Sequence, residues 1–190
     1  MTDVLNSILE ANSSYSKGFD KGHLKANPVK NFAILTCIDS RFDPAKCCGL
    51  KEGDAHIIRN AGGRATDDAI RSLVISHKLL GTTEWIVIHH TDCGMQTITD
   101  KEIAKLLEED LETAVFDGKK WSNIDREKSD NNKKGSQKGH EVEWHTFSNL
   151  KDSITEDIKK IRNHALIPSH IKVHGFVYDV KTGKLTNSET

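Results

Sequence analysis

Cys37, His90 and Cys93 combine two soft sulfur donors with an imidazole, a donor set that suits Zn2+. Each follows an apolar run: "FAILTC" ends at Cys37, and "WIVIHHTDC" carries His90 and Cys93. A fourth protein ligand would close a structural site, whereas a catalytic site keeps that position for water. Asp39, two residues past Cys37, either binds the metal itself or accepts a hydrogen bond from water held there. Arg41 is close enough in sequence to pair with Asp39 and hold it off the metal. Two thiolates offset the charge of Zn2+, so the ion acidifies water less than it would among imidazoles. A carboxylate that orients the attacking oxygen suits such a centre.

Each residue also has a plainer reading. A cysteine ending a strand packs as a small hydrophobe, and Asp-x-Arg forms a surface ion pair of little worth. A redox thiol pair is the weaker alternative, because the chain contains no Cys-x-x-Cys. Cys47 and Cys48 read as structural or surface thiols. Asp92 reads as a turn residue. His89 is a ligand by type, but alternation along a strand points it away from its neighbour His90.

These residues need a scaffold that brings strand ends together. Apolar runs in 31–41, 54–64 and 84–90 read as buried strands, and "HIKVHGFVYDVKTGKL" as a last strand with a turn at Thr182-Gly183 and a return strand. Helical spacing marks 3–11, with Asp3 as N-cap. It also marks the segment after Gly63, with Thr66 or Asp67 as cap and Gly81 as stop. The stretch 99–116 opens with a Thr99–Glu102 capping box, and 148–168 is amphipathic and closed by Pro168. Residues 12–28 read as loop. Strands alternating with helices predict an α/β fold with a mainly parallel central sheet flanked by helices, whose sites gather at the carboxyl ends of strands.

The 190 residues read as a single domain over 1–190, with 117–143 a polar loop or insertion that Trp121 and Ile124 pin locally. Lys and Arg (27) balance Asp and Glu (28), so no basic stripe argues for nucleic acid. No apolar run reaches the roughly 20 residues that span a bilayer, and the N-terminus lacks the marks of a secretory signal or transit peptide. A cytoplasmic location is expected.

Taken together, "CIDSRFDP", "GDAHIIRNAGG" and "HTDCGM" resemble the β-class carbonic anhydrases, in that order and spacing, and "VHGFVYDVKTGKL" resembles their last strand and turn. The resemblance covers about residues 30–98 and 165–185. It is to the short, archaeal-type branch, since no Gln precedes Gln96. It implies Cys37, His90 and Cys93 as zinc ligands and Asp39 with Arg41 as the dyad that gates and orients the fourth ligand. It places Gly62 and Gly63 in a turn beside the site, and His56 is a further candidate for lining the pocket. It implies a homodimer or dimer of dimers, with the N-terminal helix packed on the partner. The expected activity is attack of metal-bound hydroxide on a small linear substrate, foremost the reversible hydration of CO2 to bicarbonate. The same branch includes enzymes that hydrolyse carbonyl sulfide to CO2 and hydrogen sulfide, and related ones that act on carbon disulfide, for which the catalytic residues would be the same. A catalytically inactive zinc-stabilised module, closed by Asp39, is the remaining reading.

Overall fold

The computed structural model describes residues 2–124 and 134–188. The chain runs through helix α1 (Asp3–Lys17), strand β1 (Phe32–Cys37), the short helix α2 (Pro44–Cys47), β2 (His56–Asn60), α3 (Asp67–Lys78), β3 (Glu84–His90) and α4 (Asp100–Glu109). A two-stranded hairpin, β4 (Val115–Phe116) and β5 (Trp121–Ser122), leads towards α5 (Leu150–Arg162), β6 (Lys172–Tyr178) and β7 (Leu185–Asn187).

The main sheet has the order β2-β1-β3-β6-β7. Its first four strands are parallel, and β7 returns antiparallel along β6. The chain leaves β1 for β2 on one side and then crosses to β3 on the other. This reversal opens a crevice at the carboxyl ends of β1 and β3, where open α/β sheets hold their ligands.

Alternation along the strands builds two apolar layers. Ala33, Leu35, Trp85, Val87 and Val173 pack against Ile70 and Leu73 of α3 and Ile154, Ile158 and Ile161 of α5. Ile34 and Ile88 face the opposite way with Phe42, whose ring stacks on Tyr178 at 4.2 Å between centroids.

Several boundaries differ from expectation. Helix α1 continues to Lys17, because nothing before Gly18 breaks it, and its N-cap is Thr2 rather than Asp3. Helix α3 is capped by Thr66. The capping box of α4 forms as expected, but the helix stops at Glu109 rather than continuing to 116. Its last turn carries no base and ends in Glu108, Glu109 and Asp110, charges opposed to the negative end of a helix dipole. Helix α5 spans a shorter stretch than 148–168, starting after the cap Asn149 and ending at Asn163 behind Lys159, Lys160 and Arg162. Within the expected 117–143 loop, 125–133 lie outside the described residues. The flanks carry β5 and a 3-10 turn at Gln137–Glu141. Among the described residues, no helix is long and apolar enough to cross a membrane.

Candidate metal centre

Parallel pairing sets Cys37 opposite Asn60, and Thr36 opposite Ile88, so Cys37 and His90 both emerge at the carboxyl edge of the sheet. Just past β3, Asp92 adopts the left-handed backbone (φ 55°), and the turn it makes carries Cys93 back beside Cys37. The donor atoms of Cys37, His90 and Cys93 lie within 4.8 Å of one another, and all three side chains are buried.

The details fit a metal. His90 Nδ1–H donates to the carbonyl of Thr91 at 2.8 Å, which leaves the Nε2 lone pair facing the thiols. That Nε2 is buried without a hydrogen-bond partner among the described residues, a costly arrangement that a cation would relieve. The neighbouring Cys93 thiol holds Cys37 down to about 4, helped by backbone N–H groups of Asp39 and Gly62, while Cys93, which keeps the shared proton, is pushed up. Burial opposes charge on His90, yet the Cys37 thiolate beside it raises its pKa overall. Two sulfurs and one neutral imidazole nitrogen are a zinc donor set with one position to spare.

Asp39 Oδ2 stands 3.8 Å from His90 Nε2, at the rim of this cluster. Arg41 holds the carboxylate through its own backbone N–H and Nε to Oδ1 (2.8 and 3.0 Å) and through Nη2 to Oδ2 (2.7 Å). These bonds bring Asp39 down to about 2. Arg41 Nη2 also donates to the carbonyl of Asp92, which ties the dyad to the turn that carries Cys93.

The turn after β2 backs the site. Gly62 lines the cavity over the cluster. Gly63 lies behind Cys37 with φ +69°, where a Cβ would come within 2.9 Å of the Cys37 backbone nitrogen. Gly63→Ala is therefore expected to cost at least about 1–2 kcal/mol from the left-handed backbone alone and to displace Cys37 as well. Thermal unfolding and zinc content after gel filtration check this, and wild-type values in both would contradict it.

Alternation sends His89 to the α5 side of the sheet. There it is fully buried, with Nδ1 bonded to Ser153 Oγ (2.9 Å) and Nε2 3.2 Å from the carbonyl of Gly63 and 3.1 Å from Asp157 Oδ2. Arg64 Nε donates to the same carboxylate at 2.8 Å. Burial pushes the Asp157 pKa up, but the bonds from His89 and Arg64 outweigh it and keep the carboxyl below its usual range. This network anchors the glycine turn to α5. Nothing local signals it, because Arg64 and Asp157 lie 93 residues apart.

His56 does not join the site. It opens β2 opposite Ala33, at the far edge of the sheet, and bonds Ser76 Oγ and the carbonyl of Ala26 instead. Parallel strands start at one edge and end at the other, so a residue at the start of β2 cannot reach the cluster at its end. The cavity of about 350 Å³ over the cluster is walled instead by Ile38, Ala61, Met95, Ile98 and Trp121. Of these, Trp121 had a signal in its sequence, as a lone aromatic in a polar stretch.

Comparison with known proteins agrees with this geometry. The family model for carbonic anhydrase matches residues 32–185, from the first sheet strand to the last. The chain belongs to the β-carbonic anhydrase family. It is 37% identical over 182 residues to β-carbonic anhydrase 1 of Mycobacterium tuberculosis, covering 96% of each protein. It is 34% identical over 158 residues to a carbon disulfide hydrolase of Acidianus, covering 80% of this chain and 74% of that one. Among solved structures, the carbonic anhydrase of Streptococcus mutans superposes with a TM-score of 0.82 at 38% identity over 99% of each chain. This β-carbonic anhydrase family member is thus similar both to proteins named for CO2 chemistry and to proteins named for carbon disulfide.

Proposed function

We propose that the protein is a zinc enzyme that catalyses the reversible hydration of CO2 to bicarbonate. One observation carries this: the Cys37–His90–Cys93 cluster, with its unpartnered Nε2, opens to a cavity beside a carboxylate that Arg41 holds in place. Near full-length similarity to a β-carbonic anhydrase supports CO2 as the substrate.

Cys37, His90 and Cys93 would hold the metal, which when bound supplies Lewis acidity that lowers the pKa of water towards neutrality. Asp39, ionised at any working pH, accepts a hydrogen bond from the attacking water and turns its lone pair towards the carbon of CO2. Arg41 fixes that carboxylate, so the orientation is set before the substrate arrives. Ile38, Met95 and Ile98 give the cavity an apolar lining suited to a neutral linear molecule. Arg41 also opposes the reading as an inactive, closed zinc module: a carboxylate bonded through both oxygens to a guanidinium is poorly free to serve as a permanent ligand.

Hydrolysis of carbonyl sulfide or carbon disulfide is the second reading. The carbon disulfide hydrolase relatives and the apolar cavity favour it. Each of these substrates presents an electrophilic carbon to the same attack. Stopped-flow CO2 hydration, run beside hydrogen sulfide release from carbonyl sulfide and carbon disulfide, separates the two. CO2 turnover should dominate, and negligible CO2 turnover with brisk release of hydrogen sulfide would overturn the first reading.

The proposal includes a homodimer, or a dimer of dimers, in the cytoplasm. Helix α1 buries none of its residues and leaves Val4 and Ile8 70% and 58% exposed, an apolar face that a second copy would cover.

A further inference from the structure

The hairpin that follows α4 reaches the metal centre through one side chain. Trp121, on β5, lines the cavity whose other walls include Cys37 and Cys93. Its indole Nε1–H donates to Thr97 Oγ1 at 2.9 Å, and that hydroxyl donates in turn to the carbonyl of Gly94 at 2.7 Å. Gly94 follows Cys93 directly, so two hydrogen bonds tie the indole to the loop that carries a candidate ligand. Phe116 on β4 backs the ring at 5.2 Å between centroids. The indole is therefore held by Thr97 at its nitrogen and by Phe116, its partner across the hairpin, at its ring.

The cavity of about 350 Å³ far exceeds the space that a single water needs. It has room for more than a triatomic molecule, and Ile38, Met95, Ile98 and Trp121 make most of that room apolar. We infer that Trp121 is a specificity-determining residue, an apolar wall that favours ligands carrying an uncharged, polarisable group beyond the metal-bound atom. This rests on the metal-centre reading above and deepens it. The wall selects among molecules that the cluster could engage equally well. A ligand whose apolar part reaches the indole gains contact there, while a compact anion seated at the metal gains little.

Binding to the zinc-loaded protein tests this without recourse to turnover. Calorimetric affinities for benzenesulfonamide, which carries a ring behind its metal-binding nitrogen, are compared with those for azide. Trp121→Ala should weaken benzenesulfonamide about three- to tenfold, the range expected for one lost aromatic contact, and shift azide by less. Trp121→Phe keeps an aromatic wall and should recover most of the loss. The inference is overturned if Trp121→Ala binds benzenesulfonamide as tightly as the wild type or tighter, or if both ligands weaken by the same factor. If the wild type retains no zinc, or retains it and binds neither ligand, the metal-centre reading itself fails and the wall with it. Zinc content measured on every sample distinguishes these cases.

Discussion

Cys37→Ser should yield a protein that no longer retains zinc and no longer hydrates CO2. The substitution trades a thiol whose pKa the neighbouring Cys93 lowers for a hydroxyl that stays protonated. It also takes one of the two soft donors from a three-donor cluster. The change in size is small, so the effect falls on the metal more than on packing. Cys47→Ser is the matched control. Cys47 is half-buried against the layer of Ile34, Phe42 and Ile88, outside the cluster, and its variant should keep both zinc and turnover. Zinc content after gel filtration, with stopped-flow CO2 hydration on the same samples, reads both. Full zinc occupancy in Cys37→Ser would remove Cys37 from the centre.

Asp39→Ala should separate the two properties that Cys37→Ser loses together. Cys37, His90 and Cys93 remain, so zinc content should stay at the wild-type level. Turnover should fall by about a hundredfold or more, the scale expected when the group that orients an attacking water is lost. Arg41 would then have no carboxylate to hold, and the attacking water no fixed acceptor. Turnover at the wild-type rate would show that Asp39 does not orient the nucleophile. Loss of zinc from the variant would show instead that Asp39 is a resident ligand.

The part of the site that lies on strand ends was legible in the sequence. An apolar run that breaks into Cys37 or His90 announces both a buried strand and its polar end, and parallel sheets collect such ends at one edge. Alternation alone assigns His89 and His90 to opposite faces. Register was not legible. His56 has the right residue type on the right strand, but it pairs with Ala33, at the edge opposite the Cys37–Asn60 rung. Long-range partners were not legible either. Asp157 reads as one more charge on an amphipathic helix, yet it is 3% exposed and holds His89 and Arg64. Trp121 is the intermediate case: an aromatic in a polar stretch signals an anchor, but only the fold shows that it lines the cavity over Cys37 and Cys93. Helix ends depart from expectation where local charge, as at Glu108 to Asp110, ends a helix that the apolar stripe would have continued.

X-ray absorption at the zinc edge of the metal-loaded protein tests the central claim most directly. Two sulfur ligands at about 2.3 Å, one imidazole nitrogen and a single further light atom are the expected result. A spectrum with fewer than two sulfurs, or with no imidazole, would contradict it.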